Sequence, residues 1–434
     1  MIVYSHSLTP RLQYVVDFLS QYFQIPFKVT SNEEKYLSAE VACKLNYSFH
    51  RLTDNEIWIH PHPLLSESTV RPVKAEAFDF AGTKAFFKTE GDLPFDIFAA
   101  IFYLLTRYEE YLPHQKDVYG RFAHTASLAF REGFLHQPAI NMWLEELRRL
   151  FNEKETDCAV QQTPFVFVPT YDIDMAWSFK NKGFKRNAGA MLQGLAKGQF
   201  RQIYWRIRVL TNKIPDPFDA FEWLRNLHDQ NLLRPIYFFL VAHQTGKYDK
   251  NISVKSPPFQ QLIKEVASQN LIGLHPSWQS GDLPLLLKKE KGTLEELSGQ
   301  TVLHSRQHYI RFSLPHTYRR LMDAGITHDY SMGYGSINGF RASIATPFYW
   351  YDLQREEATP LMVHPFCFMD ANAYYEQGLT PEKALAELQY YKETVQAVNG
   401  TLYTIWHNSF LGTDPQFEGW KEVYEQFVAS LQED

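Results

Sequence analysis

The second part of the sequence alternates short apolar runs with amphipathic helical patterns, and this alternation is what most constrains the fold. Seven apolar runs lie between residue 164 and the end of the chain: FVFVPTYD, PIYFFLVA, LIGLH, TVLHS, ITHDYS, LMVHPF and TLYTIWH. Repeated strand–helix units of this kind predict a parallel sheet covered by helices. With so many strands, a closed or nearly closed β/α barrel is favoured, and an open doubly wound sheet is the alternative.

The first part of the sequence has a different pattern, in which short extended segments are mixed with predicted helices. Apolar residues at helical spacing predict one helix from Phe95 to about Leu112 and another from Gln137 to Phe151. The polar stretch ETDCAVQQT follows without periodicity, so the domain boundary is placed there. We therefore expect a smaller α+β domain over residues 1–160 and the barrel over residues 161–434.

Charge and composition exclude several classes of protein. The formal net charge of −6 lacks the positive excess that binds nucleic acid backbones, so no nucleic acid partner is expected. The start of the chain has no signal-peptide pattern and no apolar run is long enough to span a bilayer, which predicts a cytoplasmic protein. Cys43, Cys158 and Cys367 lie far apart, so we expect three buried apolar residues rather than a disulfide framework.

Titratable side chains end, or directly follow, most of the predicted strands. In a β/α barrel the carboxyl ends of the strands converge on one mouth, where reactive groups collect. Each residue taken singly has a structural explanation, such as a helix cap, a turn or a core histidine. Together they have the composition of a metal and acid–base site. The residues are Asp172, Asp174, His275, Arg306, His308, His328, Asp329 and His407.

The order of these motifs resembles the polysaccharide deacetylase family, carbohydrate esterase family 4. The matching segments are TYDID, HPSWQ, RQHY, DYSMGY with GFRA, and TIWHN. The resemblance covers the chain from about Pro164 onward and implies a NodB-like, distorted seven-stranded parallel β/α barrel. FYLLTRYEEY at Phe102 to Tyr111 and GRF at Gly120 to Phe122 further resemble a subgroup of Bacteroidetes-type bacteria with an N-terminal domain of unknown role.

The resemblance implies a role for each matched residue. Asp172 would be the general base, and Asp174 a metal ligand, as in members with an Asp-x-Asp first motif. His275 matches the first histidine of the family's His-x-x-x-His metal pair, and Arg306 matches the arginine that orients the base. The implied reaction is metal-assisted hydrolysis of an acetamide on an N-acetylated sugar.

The same resemblance assigns the remaining catalytic and substrate-binding residues. Tyr309 matches the residue whose backbone N–H helps to hold the developing oxyanion. Asp329 would orient His407, the general acid that protonates the departing amine. Further contacts with the substrate are expected from Tyr330, which stands where the family has a tryptophan, and from Arg341, Trp406 and Gln279.

One position departs from the family pattern. Gln279 replaces the second histidine of the metal pair, and a neutral amide is a weak ligand for zinc. His308 replaces the family's third-motif proline, so we expect His308 to supply the missing ligand from the neighbouring strand. The cofactor is then a divalent metal ion, with zinc expected, held by Asp174, His275 and His308.

Two other functions fit parts of the pattern. If metal binding was lost with the second histidine, the chain is a non-catalytic glycan-binding or scaffold protein. A glycosidase that uses Asp172 and Asp174 as its carboxylate pair is disfavoured, because residues two apart at one strand end cannot flank a scissile bond.

A basic segment follows the first predicted strand of the barrel. From Lys180 to Arg208 it has eight basic residues, no acidic one and several aromatic residues. Such a segment predicts binding of a phosphorylated or lipid-linked sugar precursor, or peripheral contact with the anionic inner membrane. A helical insertion whose charges are simply solvated explains the segment equally well.

The first domain has no catalytic cluster, and we expect it to pack against the barrel and shape one side of the substrate cleft. Arg107, Glu109 and Glu110 are candidates for a polar network there, although solvated helix charges are the stronger expectation.

Overall fold

The computed structural model describes residues 1–41, 43–154 and 163–432. The expected domain boundary at residue 160 and Cys158 lie outside these ranges. In the N-terminal part, the strands are β1 (Ile2–Ser5), β2 (Lys28–Thr30), β3 (Lys44–Tyr47), β4 (Ile57–Ile59), β5 (Phe78–Phe80) and β6 (Thr83–Ala85). Its helices are α1 (Pro10–Phe23), α2 (Glu33–Ser38), α3 (Ile97–Leu105), α4 (Leu128–Arg131) and α5 (Ala139–Lys154).

The main N-terminal sheet is parallel. Its strand order is β2-β1-β3-β4, and α1 and α2 connect β1 to β2 and β2 to β3. The predicted α+β arrangement is therefore wrong for this sheet, because its first three strands alternate with helices, as parallel pairing requires. Only β5 and β6 form a separate antiparallel hairpin.

Helix α3 is shorter than its periodicity predicts. The Asp96 side chain accepts a hydrogen bond from the Ala99 N–H and caps the helix start, and all nine residues of the helix are buried. The helix ends because Arg107 adopts a left-handed conformation with φ +54°, and a 3₁₀ turn over Tyr108–Tyr111 follows. The second prediction matches α5, which contains most of the stretch from Gln137 to Phe151.

The C-terminal part contains every predicted strand. Its strands are β7 (Val166–Ile173), β8 (Ile236–Phe239), β9 (Leu271–Leu274), β10 (His304–Ser305), β11 (His328–Asp329), β12 (Phe348–Asp352), β13 (Glu357–Val363), β14 (Phe368–Met369) and β15 (Thr401–His407). Its helices are α6 (Phe184–Ala196), α7 (Phe200–Leu210), α8 (Phe221–Asn231), α9 (Pro257–Ala267), α10 (Pro284–Ser298), α11 (His316–Asp323), α12 (Pro381–Gln396) and α13 (Trp420–Ser430).

These strands form one nine-stranded sheet in the order β12-β13-β11-β10-β9-β8-β7-β15-β14. All neighbours are parallel except β12 and β13. Within the described ranges no pairing joins β14 to β12, so the strand order does not show the closed seven-stranded barrel. The register places His407 of β15 beside Asp172 of β7, which brings two predicted site residues together at one sheet edge.

The N-terminal part packs closely on the C-terminal sheet, and one hydrophobic core extends through both. At their contact Arg341 makes two hydrogen bonds to Glu110, at 2.9 and 2.6 Å, and Arg107 donates to the same carboxylate at 2.8 Å. All three side chains are buried, so the expectation of solvated charges is wrong. Burial acts to raise the pKa of Glu110, but the two guanidinium groups outweigh it and lower that pKa to about 2.

Two further features of the described residues concern membrane-spanning helices and cysteines. No helix in the described ranges is both long and apolar enough to cross a bilayer. Cys43 is disulfide-bonded, which corrects the expectation for that cysteine, whereas Cys367 is a buried free thiol. The cytoplasmic location stays a prediction.

Candidate metal and acid–base site

A cavity of about 470 Å³ lies at the carboxyl ends of β7, β9, β10 and β15. Most of the chemically active side chains predicted from the strand ends line it, because parallel strands bring their carboxyl ends to one edge. Those lining residues are Asp172, Asp174, His275, His308, Tyr309 and His407. Arg306 lies directly behind this wall and is fully buried.

Asp174, His275 and His308 form a compact set of potential metal ligands. One ligand atom from each lies within 4.8 Å of the other two. His275 Nε2 is 3.1 Å from Asp174 Oδ1, and His308 Nε2 is 3.4 Å from Asp174 Oδ2. His308 reaches Asp174 and His275 from a 3₁₀ turn just after β10.

The contacts around this triad fit a divalent metal. The Nδ1 group of His275 donates to the Arg306 carbonyl at 2.6 Å, and that of His308 donates to Asp249 Oδ1 at 3.0 Å. Each Nε2 atom therefore faces the triad and is the atom that would bind a metal, the arrangement that metal-binding histidines use. Asp174 Oδ1 is buried without a hydrogen-bond donor in the described part of the chain. Two imidazoles and one carboxylate with an orphaned oxygen suit an ion such as zinc.

Charge within the triad is strongly coupled. Burial acts to raise the pKa of Asp174, but His308 and His275 outweigh it and hold that pKa well below its usual range. Burial likewise acts to lower the pKa of His308, but Asp174 and Asp249 raise it to about 9. The carboxylate is thus ionised and ready to act as a ligand.

Arg306 fixes the orientation of Asp172. Its Nη1 group donates to Asp172 Oδ1 at 2.8 Å, and its Nε donates to the Tyr330 carbonyl at 3.0 Å. The guanidinium also lies 4.4 Å from the centre of the Phe238 ring. Because Oδ1 is held in this way, Asp172 Oδ2 is directed toward the triad, 3.8 Å from His275 Nε2.

His407 is oriented by Asp370, and not by Asp329 as the resemblance implies. The His407 Nδ1 group and its backbone N–H both donate to the Asp370 carboxylate at 2.6 Å. Burial acts to lower the pKa of His407, but Asp370 outweighs it and raises the pKa to about 10. Asp329 instead accepts from the backbone N–H and the hydroxyl of Ser331, each at 2.9 Å. The sequence did carry a signal, because Asp370 directly follows the apolar run of β14.

The four residues expected to touch the substrate do not line this cavity. Tyr330 is buried and its ring stacks on His364 at a centroid distance of 4.2 Å. Trp406 is fully buried and Arg341 is held by Glu110. Gln279 is exposed and lines a neighbouring groove of about 440 Å³. Their side chains are therefore structural or lie outside the triad's cavity.

The N-terminal part contributes two residues to the cavity wall, Tyr119 and Arg121. Arg121 Nη1 donates to the Tyr309 carbonyl at 2.6 Å, and its Nε donates to Asp117 Oδ2 at 2.6 Å. Its guanidinium lies against Gly335, where an added Cβ would be 1.9 Å from Nη1. Sequence reasoning expected this domain to shape one side of the cleft but did not identify Arg121, although it lies in the GRF segment.

Tyr309 has a left-handed backbone, with φ +60° and ψ +13°, which is uncommon for a residue with a side chain. The contact from Arg121 to its carbonyl helps to hold this conformation. A residue of the N-terminal part therefore restrains the Tyr309 backbone.

The N-terminal part of the chain matches one known family. Residues 1–156 match a family described as a family of unknown function (DUF7033). A search of the curated proteins gives no match.

Three solved structures of polysaccharide deacetylases are similar to the larger part of the chain. A candidate polysaccharide deacetylase from Mycobacterium smegmatis is 13% identical, with 62% of this chain and 85% of that chain covered and a TM-score of 0.40. One from Pseudomonas aeruginosa PAO1 has the same identity and coverage and a TM-score of 0.38. The polysaccharide deacetylase Bc1974 from Bacillus cereus is 10% identical over 63% of this chain and 89% of its own, with a TM-score of 0.29. Likeness at this level transfers neither an activity nor a substrate.

Proposed function

We propose that this chain is a metal-dependent hydrolase that removes the acetyl group from an N-acetylated sugar of a glycan or glycan precursor. One observation carries the proposal: a candidate metal triad lies in the same cavity as an arginine-held aspartate and an aspartate-held histidine. Hydrolysis of an amide needs an activated water, stabilisation of an oxyanion and protonation of the amine. Separate side chains in this cavity are suited to each task.

Asp174, His275 and His308 would hold the metal ion, for which zinc is proposed on the basis of the nitrogen and oxygen donors. When bound, such an ion polarises the acetyl carbonyl and makes water easier to deprotonate. Asp172 takes the proton from the attacking water, since Arg306 turns its free oxygen toward the triad. The ionised Asp174 stays a ligand and does not compete for that proton.

His407 protonates the departing amine. Its Nε2 atom is 3.8 Å from Asp174 Oδ2, and Asp370 on Nδ1 stabilises the imidazolium form. The backbone N–H of Tyr309 helps to stabilise the oxyanion, and Arg121 restrains the backbone of this residue through its carbonyl. A cavity of about 470 Å³ has the size of a small-molecule site and accommodates an N-acetylated sugar.

The test is acetate release from N-acetylated sugar nucleotides, lipid-linked sugars and chito-oligosaccharides, after chelator treatment and again after zinc addition. Activity that needs zinc and disappears in Asp174→Asn is expected. Asp79→Asn, which changes an exposed carboxylate of the N-terminal hairpin, is the matched control and should keep activity.

Metal analysis separates the proposal from its alternative. About one equivalent of bound zinc with acetate release supports the enzyme. Glycan binding without bound metal, by a folded protein that releases no acetate from any substrate class, would favour the non-catalytic function instead.

A further inference from the structure

The basic segment forms a helical hairpin whose large apolar side chains are exposed. Helices α6 and α7 are joined by a short turn over residues 197–199. Seven large apolar side chains of this hairpin are exposed, with fractions from 39% to 87%. They are Phe184, Leu192, Leu195, Phe200, Tyr204, Ile207 and Leu210. Exposure of so many in one short segment is unusual for a surface in contact only with water.

These side chains follow helical spacing. In α7 the positions 200, 204 and 207 are separated by four and three residues, so they lie along one side of the helix. In α6 the positions 184, 192 and 195 are also on one side, at separations of eight and three residues. The apolar side chains therefore form stripes rather than scattered points.

Residues outside the stripes hold the two helices together. Gly194 of α6 accommodates Ile203 of α7, whose side chain would lie 3.1 Å from a Cβ at that position. Arg206 donates to Asn187 Oδ1 at 2.7 Å, which links the two helices again. The exposed stripes are consequently not needed to hold the hairpin together.

The charge around these stripes is of one sign. The segment from Lys180 to Arg208 carries no acidic residue. Four of its basic side chains are exposed: Lys185, Arg186, Lys197 and Arg201. Exposed apolar stripes bordered by cations match the two requirements of an anionic lipid surface, which are apolar insertion and phosphate contact.

The hairpin lies beside the candidate site. Arg186 donates to the carbonyls of Asn251 at 3.1 Å and Lys250 at 3.3 Å. The adjacent residue, Asp249, bonds to His308 of the triad. The chain segment that binds Arg186 of the hairpin therefore also contacts the metal triad.

We propose that the α6–α7 hairpin docks this protein on an anionic membrane surface, with the apolar stripes in the headgroup region and the exposed cations on lipid phosphates. This mode of binding is peripheral, because the helices are short and amphipathic. If the proposed function holds, the substrate is presented at that surface, as a membrane-associated N-acetylated glycan; this clause alone rests on the deacetylase activity.

The experiment is co-sedimentation of the purified full chain with large unilamellar vesicles, made of phosphatidylcholine alone or with 30% phosphatidylglycerol. Binding to the anionic vesicles, weakening as salt rises, is expected because surface charge interactions are screened. Equal binding to neutral vesicles, or no binding to either, would overturn the proposal. Turnover is not measured, so a failure of the deacetylase activity is seen separately.

Two sets of substitutions test the two components. Leu195→Gln with Phe200→Gln and Ile207→Gln should abolish binding, and Lys185→Gln with Lys197→Gln and Arg201→Gln should weaken it about 10- to 100-fold. The matched control is Leu285→Gln with Lys288→Gln and Lys289→Gln on α10, whose side chains are also exposed.

Binding that survives both hairpin variants, or falls equally in the α10 control, would exclude the hairpin as the docking surface. Sedimentation velocity tests whether a second copy of this chain, rather than a membrane, covers the apolar stripes. A dimer that dissociates in the apolar variant, without vesicle binding by the unmodified protein, would show that a second copy covers the stripes and would overturn the membrane proposal.

Discussion

Arg121 Nη1 and the carbonyl oxygen of Tyr309 are 2.6 Å apart, and this contact joins the N-terminal domain to the wall of the candidate site. The two residues are 188 positions apart in the chain. The Arg121 guanidinium is held in one position for this contact, because Asp117 binds its Nε group and Gly335 leaves room for Nη1. The N-terminal domain therefore has a direct structural role at the cavity.

We expect Arg121→Ala to lower kcat about 10- to 100-fold with little change in KM, because a displaced oxyanion donor acts mainly on the transition state. Hydrogen exchange of residues 306–313 should become faster, and this readout needs no activity. Arg51→Ala, which removes a remote surface ion pair with Asp92, is the control. Unchanged exchange in Arg121→Ala would contradict the positioning role.

Gly335→Ala provides the complementary test, because the added methyl group would occupy the place of the Arg121 guanidinium. The variant should reproduce the loss seen in Arg121→Ala, and the double variant should lose little more, since both changes remove one contact. Additive losses in this double-mutant cycle, measured on kcat, would show that the two residues act independently.

Asp370→Asn should lower kcat by about two orders of magnitude, because the amide cannot stabilise protonated His407. Zinc content should not change, since Asp370 does not contact the triad residues. Asp329→Asn is the informative comparison: Asp329 bonds to Ser331, so its loss should affect thermal stability more than kcat. The reverse ranking of the two variants would restore Asp329 as the partner of His407.

His308→Gln should abolish tight zinc binding, and Asp249→Asn should weaken it about 10- to 100-fold, because a neutral amide is a weaker acceptor for His308 Nδ1 than a carboxylate. Competition titrations against a zinc chelator measure both effects. His316→Gln changes an exposed histidine and should bind zinc as the unmodified protein does. Unaltered affinity in His308→Gln would remove His308 from the ligand set.

The interface predicts a loss of stability in acid. The pKa of Glu110 is lowered to about 2 from an ordinary value of 4.5, so its contribution is complete above pH 4.5 and is lost as the pH falls toward 2. The shift corresponds to about 3 kcal/mol in the free energy of unfolding. Urea unfolding at several pH values should show this decline, with a shallower one in Glu110→Gln, whose stability is lower throughout because Arg107 and Arg341 lose their partner.

Glu76→Gln is the control for this series, because Glu76 is an exposed carboxylate paired with Lys74. Its unfolding free energy should follow that of the unmodified protein across the pH range. A parallel decline in Glu110→Gln would mean that other carboxylates cause the acid sensitivity.

The sequence by itself determined seven of the nine strands of the C-terminal part and the side chains at their ends, because hydrophobic periodicity and strand termination are local properties. Those ends supplied Asp172, Asp174, His275 and His407, and the departure at Gln279 pointed to His308. The location of these residues at one sheet edge follows from the chain direction and the parallel pairing of the strands alone.

Only the tertiary structure decided which residues meet them. Asp249 reaches His308 from a loop 59 positions away, Asp370 displaces Asp329 as the partner of His407, and Arg121 arrives from another domain. Tyr330 and Arg341 are also buried in the tertiary structure, although the motifs alone assigned both to substrate binding. Loop paths and domain packing settle such contacts through many weak interactions distant in sequence, and no local pattern records them.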